Sequence, residues 1–224
     1  TVTSAPTPAA ETDTDILYMP RLLRAAAEER GNTVAMREKK FGIWQNITWR
    51  DYLDHSEAFA FGLAALGVTV GDRVAIQSDN RPEWLYTDVG AAMLRAAIVG
   101  FYPTNPSTEV RYLLVDSGVR VLVAEDQEQV DKAIEVFDDC PDLEWIVYLN
   151  SRGLSIHDHE RLISVDELIR RGEQFRRDAP DLLSGVDAGR TPEDLVTLIY
   201  TSGTTGPAKG VMLSASNVSF GTRC

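Results

Sequence analysis

Five short apolar-rich runs constrain this chain most: Asp72–Gln77, Ala97–Phe101, Val119–Ala124, Trp145–Leu149 and Leu195–Tyr200. A strand with one wet face alternates apolar and polar residues. These runs are apolar at consecutive positions, which predicts strands buried on both faces. Between them lie stretches of helical character: Pro82–Ala97, opening with Pro and Glu, then Ser107–Asp116, Gln127–Asp138 and Ser164–Arg177. Strand and helix in alternation predict an α/β fold, a mostly parallel sheet layered between helices.

Ahead of these units, Ile16–Arg30 is expected to be helical, with Leu17, Leu22, Leu23, Ala26 and Ala27 apolar and Gly31-Asn32 as its stop. Val34–Met36 and Ile43–Ile47 flank the polar Glu38-Lys39-Lys40 stretch, which is expected to be the turn of a hairpin. Thr48 then suits the N-cap of a helix from Trp49 to Leu66, closed by Gly67. Residues 178–191, with their Pro and Gly, are expected as a connection. The first residues, TVTSAPTPAAETDTD, have neither a basic start nor an apolar stretch; they read as a disordered polar tail over 1–15, ahead of a folded part over 16–224.

A hydrophobic content of 44% suffices for a sizeable core. Thirty-four acidic against 22 basic side chains give a net charge of −12, which argues against a general nucleic-acid or anionic-membrane surface. Cys140 and Cys224 form no CxxC pattern, so neither a disulfide framework nor a zinc site is indicated, and a reducing cytoplasm is the default. The longest apolar stretch, Val89–Tyr102, is broken by Arg95 and falls short of the roughly 20 residues a membrane helix needs. His157 and His159 alternate in a loop without further ligands, and His55 is expected on the surface face of its helix. Asp138-Asp139, Arg170-Arg171 and Arg176-Arg177 read as solvated faces.

The chemistry concentrates in Leu198–Val211, LIYTSGTTGPAKGV, where an apolar strand empties into a loop rich in Ser, Thr and Gly that ends at Lys209. Gly203 and Gly206 permit the positive φ of a tight anion-holding turn. Hydroxyls of Thr201, Ser202, Thr204 and Thr205 can donate to phosphate oxygens or supply an oxygen to Mg²⁺, and Lys209 adds a compact positive charge. A Walker A loop needs Ser or Thr directly after its lysine, but Gly210 and Val211 follow here. A flexible linker would not lie between an apolar strand and the Val211-Met212 pair. The segment reads as a phosphate grip.

Tyr200 to Gly210 closely resembles the signature of the AMP-forming acyl-CoA synthetases, relatives of luciferases and of peptide-synthetase adenylation domains. The likeness runs from about Ile16 to about Asn217. Gly67-Val68 through Ile76, Asn80 to Trp84, Tyr102-Pro103-Thr104, Glu109-Val110 and Asp116-Ser117-Gly118 are similar to the long-chain fatty acyl branch. Each of these weaker segments also has a structural reading: Arg81 and Glu83 as helix caps, Trp84 as core, Pro103 as a strand end. The resemblance implies that residues 16–224 are the amino-terminal part of an adenylate-forming, AMP-binding large domain. It implies a ligase that activates a fatty acid with ATP to an acyl-adenylate and passes it to coenzyme A, in the cytoplasm, with no nucleic-acid partner. It leaves room for a homodimer and for peripheral membrane contact.

By the same resemblance Lys209 and Thr205 are the catalytic candidates, and Thr201, Ser202, Gly203, Thr204, Thr205, Gly206 and Lys209 hold the nucleotide. Thr201, the first threonine of the signature, is the candidate Mg²⁺ ligand. In complete relatives the groups for adenine, ribose and the acidic side of Mg²⁺ lie downstream of the signature, so the chain is not expected to complete a cycle alone. The alternatives are a non-catalytic nucleotide-binding or interaction fragment, or another adenylating ligase of the aryl-acid or luciferase-like kind. One departure concerns Leu213-Ser214-Ala215, where many relatives carry a histidine after Leu-Ser or Leu-Thr. If that histidine lines their acyl pocket, Ala215 alters the pocket's shape and leaves phosphate binding intact.

Overall fold

The computed structural model describes residues 16–154, 159–201 and 207–223. Its elements are α1 (Met19–Arg30), β1 (Val34–Lys40), β2 (Ile43–Thr48), α2 (Trp49–Ala65), β3 (Arg73–Gln77), α3 (Pro82–Met93), β4 (Ala97–Phe101), α4 (Ser107–Ser117), β5 (Val121–Ala124), α5 (Gln127–Glu135), β6 (Trp145–Tyr148), β7 (Leu162–Ser164), α6 (Val165–Asp178), α7 (Leu182–Ala188), β8 (Leu195–Thr201), β9 (Lys209–Ser214) and α8 (Ala215–Arg223).

All five apolar runs are strands of one seven-stranded sheet, ordered β7-β6-β5-β3-β4-β8-β9. Every neighbouring pair from β7 to β8 is parallel, and β9 returns antiparallel beside β8. The consecutive apolar residues have the expected cause. On β5, Val121 and Val123 face a core built with α1, α2, α3 and α6, while Leu122 and Ala124 face a second core under α4 and α5. Both layers therefore cover the central strands. β8, read as buried on both faces, is instead half-buried with Ile199 48% exposed, because it lies with β9 at the edge of the sheet.

The amino-terminal hairpin and α2 both form, but the hairpin's turn is Phe41-Gly42: Glu38, Lys39 and Lys40, read as the turn, pair with Gln45, Trp44 and Ile43 and lengthen β1. Thr48 Oγ1 accepts from the Asp51 amide at 3.1 Å and Asp51 accepts from the Thr48 amide at 2.9 Å, a reciprocal cap. Those hydrogen bonds hold the Asp51 carboxyl below its ordinary range. Helix α2 then packs so closely on α6 that a Cβ placed on Gly172 would lie 2.5 Å from the Gly62 nitrogen.

Several boundaries differ from expectation. The first helix starts at Met19 because Pro20 occupies its first turn, leaving Ile16 and Tyr18 extended and buried with Ala215. Residues 178–191 contain α7, and β7 and α8 add elements that no periodicity announced. Helix α5 stops at Glu135, with Phe137–Asp139 forming a 3-10 turn, and β5 starts at Val121. The tail over 1–15 and His157 lie outside the described residues. His55 is exposed, as expected, and stacks on Tyr86 at 4.8 Å, whereas His159 meets the Phe137 ring edge-on at 4.7 Å. Among the described residues no cluster of three His, Cys, Asp or Glu could hold a metal ion, and no helix is long and apolar enough to cross a membrane.

Candidate functional site

The position of β8 is fixed before the strand begins. Just past α3, Arg95 takes a left-handed backbone conformation (φ 57°) and forks onto Asp194 through two 2.7 Å hydrogen bonds. Within β8, the Thr197 hydroxyl donates to the Ile98 carbonyl at 3.1 Å, and β8 pairs with β4. The strand thereby delivers Thr201 to the carboxyl end of the parallel sheet.

β9 runs back along β8 with Thr201 opposite Lys209, Tyr200 opposite Gly210 and Ile199 opposite Val211. Residues opposite one another share a sheet face, so Thr201 and Lys209, both exposed, project together. The remaining sequence-predicted groups, Ser202, Gly203, Thr204, Thr205 and Gly206, lie outside the described residues. A hydroxyl and an ammonium brought together in this way suit a polyphosphate and a hard cation.

The other face of the hairpin is tied to α4. Tyr200 donates its hydroxyl to Asp116 Oδ2 at 2.7 Å, Tyr112 donates to the Ala208 carbonyl at 2.7 Å, and the two rings meet edge to face with centroids 6.4 Å apart. Burial, then the Asp116 carboxylate, push the Tyr200 phenol well above its ordinary 10. Both flanks of the 202–206 segment thus rest on one helix. Tyr112 is unmarked in the sequence and Asp116 is marked only by its likeness to the fatty acyl branch, not as an anchor; the trace of the pair is an i, i+4 spacing on the helix read over Ser107–Asp116.

A cavity of about 370 Å³ opens beside these anchors, with Tyr102, Asn105, Glu109, Tyr200 and Thr201 among its walls. Tyr102 is 74% exposed, so it borders open space at this edge. Trp84, read as core, is half-buried and packs against the apolar core. Ala215, the departure marked in the sequence, is buried against Ile16 and Tyr18.

Open α/β sheets usually bind ligands where the winding direction reverses, here between β3 and β5. In this chain protein groups occupy that point. Glu125 accepts from the Asp79 amide at 2.7 Å and from Arg81 at 3.2 Å, and Arg81 also forks onto Glu83 at 2.8 and 3.1 Å. Burial alone would raise the Glu83 carboxyl, yet the Arg81 fork holds it below its ordinary range. Arg81 sits at the N-cap position of α3 but makes no side-chain cap hydrogen bond; it and Glu83 are held instead in the ion-pair network with Glu125. A larger groove of about 520 Å³, between the β1–β2 hairpin and the start of α3, carries Trp44, Arg81 and Trp84 but neither Thr201 nor Lys209.

A mostly parallel sheet wound between two helical layers, with Thr201 and Lys209 brought together across β8 and β9 at its carboxyl edge, defines an open-sheet α/β domain. More particularly, the chain belongs to the AMP-binding enzyme family, whose profile matches residues 23–224. It is 28% identical over 204 residues to the long-chain-fatty-acid–CoA ligase ACSBG1 of Bos taurus, covering 91% of this chain and 27% of that protein. Against the long-chain-fatty-acid–CoA ligase FadD15 of Mycobacterium tuberculosis (strain ATCC 25618 / H37Rv) the identity is 34% over 177 residues, covering 79% of this chain and 28% of the relative. The crystal structure of the anthranilate CoA ligase AuaEII with anthranoyl-AMP superposes with a TM-score of 0.73 at 25% identity, over 89% of this chain and 35% of that one. The chain thus spans a little over a quarter of the length of the curated relatives it matches.

Proposed function

We propose that this chain forms the phosphate-gripping part of an AMP-forming ligase that activates a long-chain fatty acid for transfer to coenzyme A. The pairing of Thr201 with Lys209 across the signature loop carries the reading, in a family member whose matched relatives are named long-chain-fatty-acid–CoA ligases. In that reaction the substrate carboxylate attacks the α-phosphorus of ATP and pyrophosphate leaves. The coenzyme A thiol then displaces AMP from the acyl-adenylate. No general base is required for the first step, because a fatty acid is already ionised at neutral pH.

Negative charge grows on the departing pyrophosphate, so donors fixed at the loop stabilise the transition state more than bound ATP. In this reading Lys209 supplies the cation, Ser202 to Gly206 supply amides and hydroxyls, and Thr205 would donate to the same oxygens. Thr201 would hold Mg²⁺, an ion that neutralises phosphate charge when bound. A reducing cytoplasm agrees with Cys140, a buried free thiol.

The test is acid-dependent exchange of labelled pyrophosphate into ATP by the full-length protein that contains this region. Lys209→Ala is expected to lower the rate by about 10²-fold, the scale of one lost transition-state donor. Unchanged exchange in both Lys209→Ala and Thr205→Ala would exclude the assignment. The anthranoyl-AMP complex of the structural neighbour motivates an aryl-acid alternative. Faster exchange with benzoate or anthranilate than with palmitate would favour that second reading.

A further inference from the structure

The tip of the β1–β2 hairpin is unusual on two counts. Its two-residue turn is Phe41-Gly42, with φ of 51° and 81°. Such a turn needs positive φ at both central positions and normally carries Asn or Asp followed by Gly; a bulky aromatic there is a backbone outlier. Phe41 is also 88% exposed, with Ile43 at 65% and Trp44 at 62%. Conformation and solvation both disfavour phenylalanine at this apex, and local strain of this kind clusters where a function retains it.

The surrounding charge points to the occupant. Lys40 pairs across the hairpin with Ile43, and Lys39 with Trp44. Arg37, Lys39 and Lys40 are exposed, with Glu38 the one carboxylate in the strand, so the tip is locally cationic on a chain of net charge −12. Screening over about 8 Å at physiological ionic strength lets a surface facing the tip feel the local cations more than the distant carboxylates. Ile43 and Trp44 are successive residues, so they project to opposite faces of the ribbon, each beside a lysine. The Trp44 face borders the groove toward Arg81 and Trp84, yet Trp44 stays 62% exposed, Ile43 65% and Phe41 88%. An exposed aromatic apex with apolar and cationic side chains around it suits immersion in the headgroup layer of an anionic membrane.

We propose that residues 37–44 are a membrane-interface anchor. Phe41, Ile43 and Trp44 enter the headgroup boundary of a bilayer while Arg37, Lys39 and Lys40 meet anionic lipid phosphates and carboxylates. This reading does not rest on the ligase assignment, since its test measures vesicle binding and no activity.

The experiment is flotation of the 224-residue chain with phosphatidylcholine vesicles, with and without phosphatidylserine. Binding is expected to the mixed vesicles, weaker binding to phosphatidylcholine alone, and a loss of about fivefold for each of Lys39→Gln and Lys40→Gln. Phe41→Asn places a favoured residue in the turn, so it should keep or raise the thermal midpoint while cutting vesicle affinity by about tenfold or more. Met212→Ser, which removes a 65% exposed apolar side chain elsewhere, should bind like the parent. A parent chain that floats with neither vesicle overturns the proposal. So does a Phe41→Asn or Trp44→Ser chain that binds undiminished, or loss of binding in Met212→Ser alone.

Discussion

Asp88 lies half-buried on α3, and burial pushes its carboxyl from an ordinary 3.8 to about 6. The folded state therefore holds this proton more tightly than the unfolded chain does. Its contribution to stability is full below about pH 4 and is lost as pH rises through about 6. Asp88→Asn should accordingly be more stable than the parent at pH 7, by roughly 2–3 kcal/mol, and indistinguishable from it below about pH 4. Urea titrations at the two pH values decide it, and an equal difference at both would sink the idea. Thr201 and Lys209 were legible because the groups that chemistry needs lie close together along the chain. Tyr112 and Asp116 were not, because their partners Ala208 and Tyr200 are 96 and 84 residues away, and only the folded sheet brings them together.

At the scale of elements, α6 owes its place to the near-contact of its backbone with α2. A methyl at Gly172 would meet the Gly62 nitrogen and α-carbon, backbone atoms that cannot swing aside. Gly172→Ala should therefore cost about 1–3 kcal/mol, as overpacking does. Gly185→Ala in α7, where a Cβ meets nothing within 4 Å, should instead stabilise by about 0.5–1 kcal/mol. Thermal unfolding of the two variants should shift in opposite directions; a parallel shift would refute the packing argument. The elements legible in advance were those with strong local signals: doubly buried strands such as β5, the Thr48 cap of α2, and the Pro-led α3. β7 is three residues long, too short for any period, and gains its place by pairing with β6. α8 is rich in Ser, Asn, Gly and Thr, poor helix formers that tertiary packing overrides, and α7 is a seven-residue helix with Ser and Gly at its centre. α8 docks through Ser219, whose hydroxyl accepts the Leu17 amide at 2.9 Å across 202 residues of sequence.

For the molecule as a whole, apolar surface and net charge pull in opposite directions. Ile199, Val211 and Met212 on β8 and β9, with Phe220 on α8, are 45 to 65% exposed. β9 is also the outer strand of the sheet, with unpaired backbone groups available to another strand. These features favour a second copy of the chain. Each copy carries −12, however, and mutual repulsion acts over about 30 Å at 0.01 M ionic strength but only about 8 Å at 0.15 M. Self-association is therefore expected to be suppressed in dilute salt and to strengthen as salt rises, the opposite of an assembly held by ion pairs. Light scattering across a salt series measures it. Val211→Lys, which places a charge opposite Ile199 on the same sheet face without touching the core, should keep the chain monomeric throughout. If association instead weakens with salt, or proceeds undiminished in Val211→Lys, the strip is not the contact surface.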